Sequence, residues 1–580
     1  MSPFIVAVTG HRDPAPGSNA DLGGAVAVWL RQLRERLPHT ELRIMVGMAQ
    51  GADMLVAEVA LELGVPVDAV LPMPLTEYAA DFNADSLDLL QRLLRRPGVR
   101  VVELPMPRDA NGVPRHDPAS RDEAYARLTQ HLIRSSGLLL ALWDGKPSSL
   151  PGGTADTVLR YLGVRAAGGV ACEELEFLPA PAAEESSGAY VYWIPTPRSD
   201  GAEAVEGEPC YLSGSGDHVL HRQRKLPPAL RAQLAGLDEY NAEYLQLMGE
   251  DRLGTHDSLL ATLTADRSLQ ELPVLRSIDA QYGKADALAV YFQRYSDRLF
   301  KFYGWLTFVM SVAYLAYHKL SESQALLYVY LLVLVAGLGV HALLHRRRWF
   351  AKHLLCRALA ETLRARFYLQ IADVDQRINA EDVIAMAGIN QFHGFGWIGL
   401  VLKGVESSRP ASLQAAIPTV VAAHYVDQAW VEAQRSYFSR KVAGLERDAR
   451  RIDALRRVLF AVGILVTLAL IVFSKPLHGV AIPHTDVTVK NLLEFLMGFI
   501  AVLFGVWELH ENKMASRELV WQYRNQLQHF TRATDELART GSPDRRRDII
   551  AALGRDSLME SYLWTIHRYH REHEPPTSAG

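Results

Sequence analysis

Hydrophobic positions change their rhythm along this 580-residue chain. Over residues 1 to about 200, short β-branched runs alternate with amphipathic stretches of helical period, the pattern of a doubly wound parallel sheet. The runs Phe4–Thr9, Leu42–Gly47, Val67–Leu71, Val99–Leu104 and Leu138–Trp143 each end at a polar, Gly or Pro break and predict strands, with a last strand over Tyr190–Ile194. Helices are predicted at Gly24–Leu37, Ala52–Leu63, Ser86–Arg95 and Glu123–Ser135, the second closed by Gly64 and Pro66. From about 163 to 225 the chain turns rich in Ala, Gly, Glu, Ser and Pro, which predicts exposed loops or a mobile cover.

Pro227–Leu299 reads as polar helix, and then the rhythm disappears into apolar runs. Phe302–Tyr317 and Gln324–Leu344 carry no charge, and Val458–Ser474 and Asn491–Leu509 form a second pair. A bilayer core takes about 20 apolar helical residues, so the runs predict two transmembrane hairpins, against the alternative of hairpins buried in a soluble bundle. Arg294, Arg298 and Lys301 precede the first span; Arg346, Arg347, Arg348 and Lys352 follow the second; Arg447, Arg450, Arg451, Arg456 and Arg457 precede the third. The outer loops carry only Lys319, Lys475 and Lys490, so both termini are expected in the cytoplasm of a multi-pass inner-membrane protein. After each hairpin comes a helix with a basic start and an apolar stripe, Leu355, Leu359, Leu363 and Phe367 in one and Leu519, Tyr523, Leu527 and Phe530 in the other, an internal repeat of helix, two spans, helix.

Composition narrows the function classes. Lys and Arg number 61 against 65 Asp and Glu, a net charge of -4, which argues against a surface built for nucleic acid. The three cysteines, Cys172, Cys210 and Cys356, lie far apart, so neither a disulfide framework nor a cysteine zinc site is expected, and the histidines lack ligand spacing. The opening MSPFIVAVTGHRD has no basic n-region and reads as a strand rather than a signal peptide.

Three loops at predicted strand ends carry candidate chemistry. Thr9, Gly10, His11 and Arg12 follow the first strand, where a small residue lets backbone N–H groups approach phosphate and Arg12 supplies a fork of donors. Gly47, Gln50, Gly51 and Asp53 follow the second and open into a helix, whose N-terminus is an anion site; Asp53 would repel a phosphate beside it, so it is expected to cap the helix or to hold a ribose hydroxyl. Trp143, Asp144 and Lys146, then Gly152, Gly153, Thr154 and Asp156, repeat the strand, loop, helix plan. Read singly, each loop is also an ordinary turn; together they converge where ligands bind in open α/β sheets. In the spans, Glu494 and Glu508 stand near the ends of the fourth helix, Glu494 either lining a cation path or snorkelling to the headgroups. Gly337, Gly339, Gly498 and Gly505 are expected to be close-packing positions.

The ordered set VTGHRD, GMAQGAD and WDGKP…PGGTADTV resembles the SLOG superfamily, relatives of the cytokinin-activating LOG enzymes and of the DprA core, over roughly the first 200 residues. The hairpin units resemble the SLATT two-span module, especially around Trp349 and Cys356–Leu363; the second copy, with Trp521–Arg524, departs more. These resemblances imply a membrane effector of nucleotide-activated antiphage systems such as Thoeris or CBASS, and a cytoplasmic region similar to that of TRPM channels. LOG hydrolases carry PGGxGTxxE; here Thr154 and Ala155 follow the glycine pair and no matching glutamate is present, so no catalytic residue is assigned.

The expected fold is α/β, a Rossmann-like parallel sheet domain followed by an all-α transmembrane and cytoplasmic helical region. Residues 1–200 are read as a SLOG-like nucleotide-binding domain, 201–290 as a helical linker, 291–375 and 436–545 as the hairpin units, 376–435 as a cytoplasmic connector and 546–580 as a C-terminal tail. The expected ligand is a nucleotide-derived second messenger, with no cofactor, metal or nucleic acid. Membrane lipid and further copies of the chain are the expected partners, because four spans do not easily enclose a pore alone. The alternative is a membrane-tethered LOG-like phosphoribohydrolase.

Overall fold

Strands form where the apolar runs are short and uninterrupted: β1 (Phe4–Gly10), β2 (Leu42–Val46), β3 (Val67–Leu71), β4 (Val99–Glu103), β5 (Leu138–Trp143) and β7 (Val191–Pro195). The computed structural model describes the chain except residues 16–18, 110–112, 149–151, 165–174, 181–187, 201–203, 215–218, 255–257, 264–266, 373, 375–394, 409–424, 479, 481, 483–486, 515 and 574–580. These six strands are parallel, in the order β4-β3-β2-β1-β5-β7. Every residue of β3 and β5 is buried, as strands covered on both faces require. The one acidic residue in β3, Asp68, is fully enclosed and held by Arg43 of β2 at 2.7 Å and Arg100 of β4 at 2.8 Å.

The expectation for residues 163–225 is corrected. They add β6 (Glu176–Pro179), β8 (Cys210–Gly214) and β9 (Val219–Gln223), with β8 antiparallel to β7, β9 antiparallel to β8, and β6 on the outer edge parallel to β9. The sheet is therefore mixed, parallel for most of its width, and reaches Gln223 rather than stopping near 200. Two indoles pin this extension: Trp193 donates to the Trp143 carbonyl at 2.8 Å, and its ring stacks on Phe177 at 5.4 Å.

The crossovers supply α1 (Asn19–Glu35), α2 (Ala52–Glu62), α3 (Leu75–Tyr78), α4 (Ala84–Leu94), α5 (Pro118–Ser135) and α6 (Thr154–Tyr161). Asn83 caps α4 by accepting Ser86 N–H, and Asp117 caps α5 by accepting Ser120 N–H with Pro118 behind it, each satisfying an otherwise orphaned donor. From β1 the chain steps outward through β2, β3 and β4, then crosses back to place β5 on the other side of β1. The strand order thus reverses between β1 and β5.

Contacts divide the chain into two units, Met1–Lys284 with Leu359–Ala422, and Ala285–Ala358 with Ala423–Gly580. In the first, α7 (Pro228–Gly249) and α12 (Gly396–Glu406) pack together through Tyr240 and Trp397, whose rings stack at 4.6 Å. A polar network ties Ser2 to Asn241, Gln281 and Lys284, so the chain entering β1 is fixed by helices distant in sequence. After the four-residue α8 (Arg267–Gln270) comes α9 (Pro273–Lys319), which begins in the first unit and ends in the second.

The second unit is helical. Long helices α9, α10 (Gln324–Arg347) and α11 (Trp349–Ile371), the last passing back into the first unit at Leu359, have 47, 24 and 23 residues; α13 (Ala433–His478), α14 (Val489–Met514) and α15 (Ser516–Arg539) have 46, 26 and 24. The two triplets match element by element, as the internal repeat predicts. Residues 546–580, expected as a tail, belong through His573 to α16 (Pro543–His573), whose Leu558 and Tyr562 are buried.

Among the described residues four helices are long and apolar enough to cross a membrane, and in each the apolar window is only 6% buried. Leu332 on α10 and Ile471 on α13 are 70% and 72% exposed, so the hairpins are not hidden in a soluble bundle of this chain; such continuous apolar surface suits lipid. Of the four glycines expected to pack closely, only Gly498 does: a Cβ there would lie 2.8 Å from Leu315 of α9, whereas Gly337, Gly339 and Gly505 have open space. Gly498→Val is expected to lower thermal stability in detergent by about 1–3 kcal/mol, the cost of overpacking. Alanine at Gly337, Gly339 and Gly505 should leave the monomer unchanged; a matching loss at all four positions would refute the distinction.

Candidate functional site

The reversal between β1 and β5 is where an open α/β sheet leaves a crevice at its carboxyl edge. Register places Gly10 of β1 beside Leu142 of β5, and the chains leave the sheet together as His11 and Asp144. His11 N–H donates to the Leu142 carbonyl at 3.1 Å, and Asp144 N–H donates to His11 Nε2 at 3.0 Å. Asp144 Oδ1 lies 3.2 Å from the same nitrogen and accepts Lys146 N–H at 3.0 Å. Burial works against the Asp144 carboxylate, but His11 and the Lys146 amide outweigh it and hold the carboxyl below its ordinary value.

The β2 loop closes against the β1 loop. Met48 sits in the left-handed region at φ 56° and Gly51 at φ 89°, so the backbone turns twice within four residues. A Cβ on Gly51 would meet the Arg12 carbonyl oxygen at 2.4 Å, and Ala52 N–H donates to the His11 carbonyl at 3.1 Å. Tyr78 hydroxyl donates to the Gly47 carbonyl at 3.1 Å.

The Asp53 side chain turns back from the first turn of α2 to the loop before it. It is buried and reaches back four residues to accept Ala49 N–H at 3.2 Å. Burial pushes its carboxyl up to about 7, opposed by the Ala49 hydrogen bond and by Arg12. The β5 loop repeats the device: Asp156, also buried, accepts Gly152 N–H at 2.8 Å, four residues back, and pairs with Arg160 at 3.6 Å. Both carboxylates brace loops from within.

The sequence candidates therefore separate by exposure. Arg12, Gln50 and Lys146 are exposed, and Gly10, His11, Gly51, Gly152, Gly153 and Thr154 are half-buried along the same edge. Thr9, Gly47, Asp53, Asp144 and Asp156 are buried and shape the loops. Trp143 is wholly buried, its indole N–H given to the Lys146 carbonyl at 3.0 Å, so it belongs to the sheet core and not to the ligand surface. Among the described residues no acceptor takes the backbone N–H groups of Gln50, Gly51, Gly153 or Thr154, and no carboxylate pairs with Arg12. Two helix N-termini with unpaired N–H groups and one guanidinium without a carboxylate partner thus stand around the switch point, an arrangement that can hold an anion of phosphate type. Among the described residues there is no cluster of His, Cys, Asp and Glu able to hold a metal ion.

Sequence reasoning missed Tyr78, Asp81 and Tyr125, which surround Arg12; none carries a motif signal, and only the return of α5 over the crevice brings Tyr125 there. In the second unit, Glu494 pairs with Lys319 of α9 at 2.7 Å and Lys490 at 3.8 Å. Glu508, more exposed, pairs with Arg456 of α13 at 3.1 Å. Both acids tie neighbouring spans together at their ends. The chain matches no protein-family model and no curated protein.

Proposed function

We propose that this protein is a cytoplasmic sensor of a nucleotide-derived signal, coupled to a transmembrane effector that conducts ions or perturbs the bilayer. The carrying observation is the coincidence, in one chain, of unpaired anion donors converging at the β1/β5 switch point with four lipid-compatible helices. On this reading the crevice is lined by residues 9–13, 47–53, 144–148 and 152–157. The Rossmann-like and SLOG readings of the sheet and the SLATT reading of the hairpins belong to this proposal, as do an inner-membrane location with both termini cytoplasmic, assembly into a homo-oligomer and a role in antiphage defence. Binding drives the effector only by the difference in ligand affinity between its two states.

The test uses the full chain in dye-loaded liposomes, screened with cyclic dinucleotides, oligonucleotides and ADP-ribose derivatives. One class should raise the thermal midpoint and release dye while being recovered unchanged, and Arg12→Ala should abolish both effects. At 100 times its Kd a ligand adds about 2.7 kcal/mol to the bound state, well within reach of a melting assay. Turnover of the nucleotide would favour the tethered phosphoribohydrolase instead, and vesicles that stay sealed with every bound compound would overturn the proposal.

A further inference from the structure

Tyr125 lies on α5, outside the three loops, yet all the crevice's polar neighbours on that side meet on it. The Arg12 guanidinium carbon stands 5.3 Å from its ring centroid. Its hydroxyl donates to Asp81, from the segment after β3, and Asp81 also accepts from Arg121. Tyr78 meets the ring edge-on at 6.4 Å, and a Cβ on Gly152 of the β5 loop would lie 3.1 Å from the Tyr125 Cβ. The ring therefore meets Arg12 after β1 and Tyr78 after β3, while the Tyr125 backbone and Cβ lie against Gly152 of the β5 loop.

The consequence falls on Arg12. Arginine carries about 2 kcal/mol of rotamer entropy, and holding it in one pose before a ligand arrives removes that loss from binding. The Tyr125 ring lies against the guanidinium and its hydroxyl takes a hydrogen bond from it, which fixes the pose while leaving the remaining N–H groups for an anion, whereas a bidentate carboxylate partner would occupy two of them at once. Arg12 is exposed and has no carboxylate partner among the described residues. Burial pushes the Tyr125 phenol up to about 12, so it stays a neutral donor to Asp81 and does not compete as an anion for Arg12.

We propose that Tyr125, locked by Asp81, is a positioning residue that holds Arg12 as a phosphate clamp, so that the crevice selects ligands by a phosphate or pyrophosphate group rather than by the base alone. This rests on the nucleotide reading above and extends it to the ligand's chemical class.

Titration calorimetry on the full chain in detergent, with ADP-ribose, cyclic di-AMP and inorganic pyrophosphate against adenosine, tests it. Tyr125→Ala and Asp81→Asn are expected to weaken the phosphorylated probes by about tenfold, with adenosine unchanged. Tyr125→Phe keeps the ring and the fold but loses the Asp81 lock, and should fall between. In an Arg12→Ala background the Tyr125→Ala change should add nothing, and the salt dependence of binding should shrink. If the phosphorylated probes bind but Tyr125→Phe and Asp81→Asn retain the parent affinity and salt slope, or if the two losses simply add, the clamp is wrong while the nucleotide reading survives. If none of the phosphorylated probes binds the parent chain, both fall.

Discussion

Gly51→Val should unfold the crevice before any ligand is added. At φ 89° and ψ -121° the Gly51 backbone lies where side chains are essentially excluded, and a Cβ would fall 2.4 Å from the Arg12 carbonyl oxygen, 2.7 Å from its carbon and 2.8 Å from the His11 oxygen. These are backbone atoms held on the sheet by the His11–Leu142 hydrogen bond, so no rotamer change relieves the clash. Strain and loop displacement together are expected to cost on the order of 3–5 kcal/mol. Thermal unfolding of the full chain in detergent should show the loss, with ligand stabilisation abolished. Gly64→Ala is the control: its φ is 70°, yet nothing lies within 4 Å, so only the conformational strain applies. Equal midpoints for Gly51→Val and the parent would refute the account of this loop.

The second large effect is a pH dependence centred on Asp53. Burial raises its carboxyl from 3.8 to about 7, so the folded state binds the proton more tightly than the unfolded chain does. That stabilisation is complete below the unfolded value and is lost as pH rises through about 7. Over the whole window the change is on the order of 4 kcal/mol. Asp53→Asn keeps an acceptor for Ala49 N–H without the buried charge, and is expected to be more stable than the parent at pH 8 and to lose the slope between pH 4 and 7. An anion bound at the β2 loop would disfavour Asp53 ionisation further, so its affinity should fall as pH rises above about 7. Identical stability profiles for the parent and Asp53→Asn would sink this reading.

Legibility in the sequence followed burial. β3 and β5 were readable because strands enclosed on both faces are unbroken apolar runs, and their ends match the prediction to the residue. β6, β8 and β9 were not, being four- or five-residue pieces with polar and small residues inside a Gly- and Glu-rich stretch, and paired only with one another and β7. α5 begins at Pro118 rather than Glu123 because the Asp117 cap and the proline start it before the apolar period does. The loop positions around the crevice were legible from small residues at strand ends. What each carboxylate does there was not, since Asp53 and Asp156 turn inward to their own loops and Asp81 arrives from another crossover. The second copy of the repeat shows the same limit: Phe530 of its expected stripe is buried, but Gln522 and Gln526 are buried beside it while Leu519, Tyr523 and Leu527 are half-buried.

The matched helix triplets fix a stoichiometry. Each polypeptide contributes two hairpins for a single switch-point crevice, so a ring of n chains would present 2n hairpins in alternating, non-identical pairs but only n receptors. A single occupied crevice would then bias two unequal wall segments at once, and the smallest cooperative step of such an assembly is a doublet rather than one hairpin.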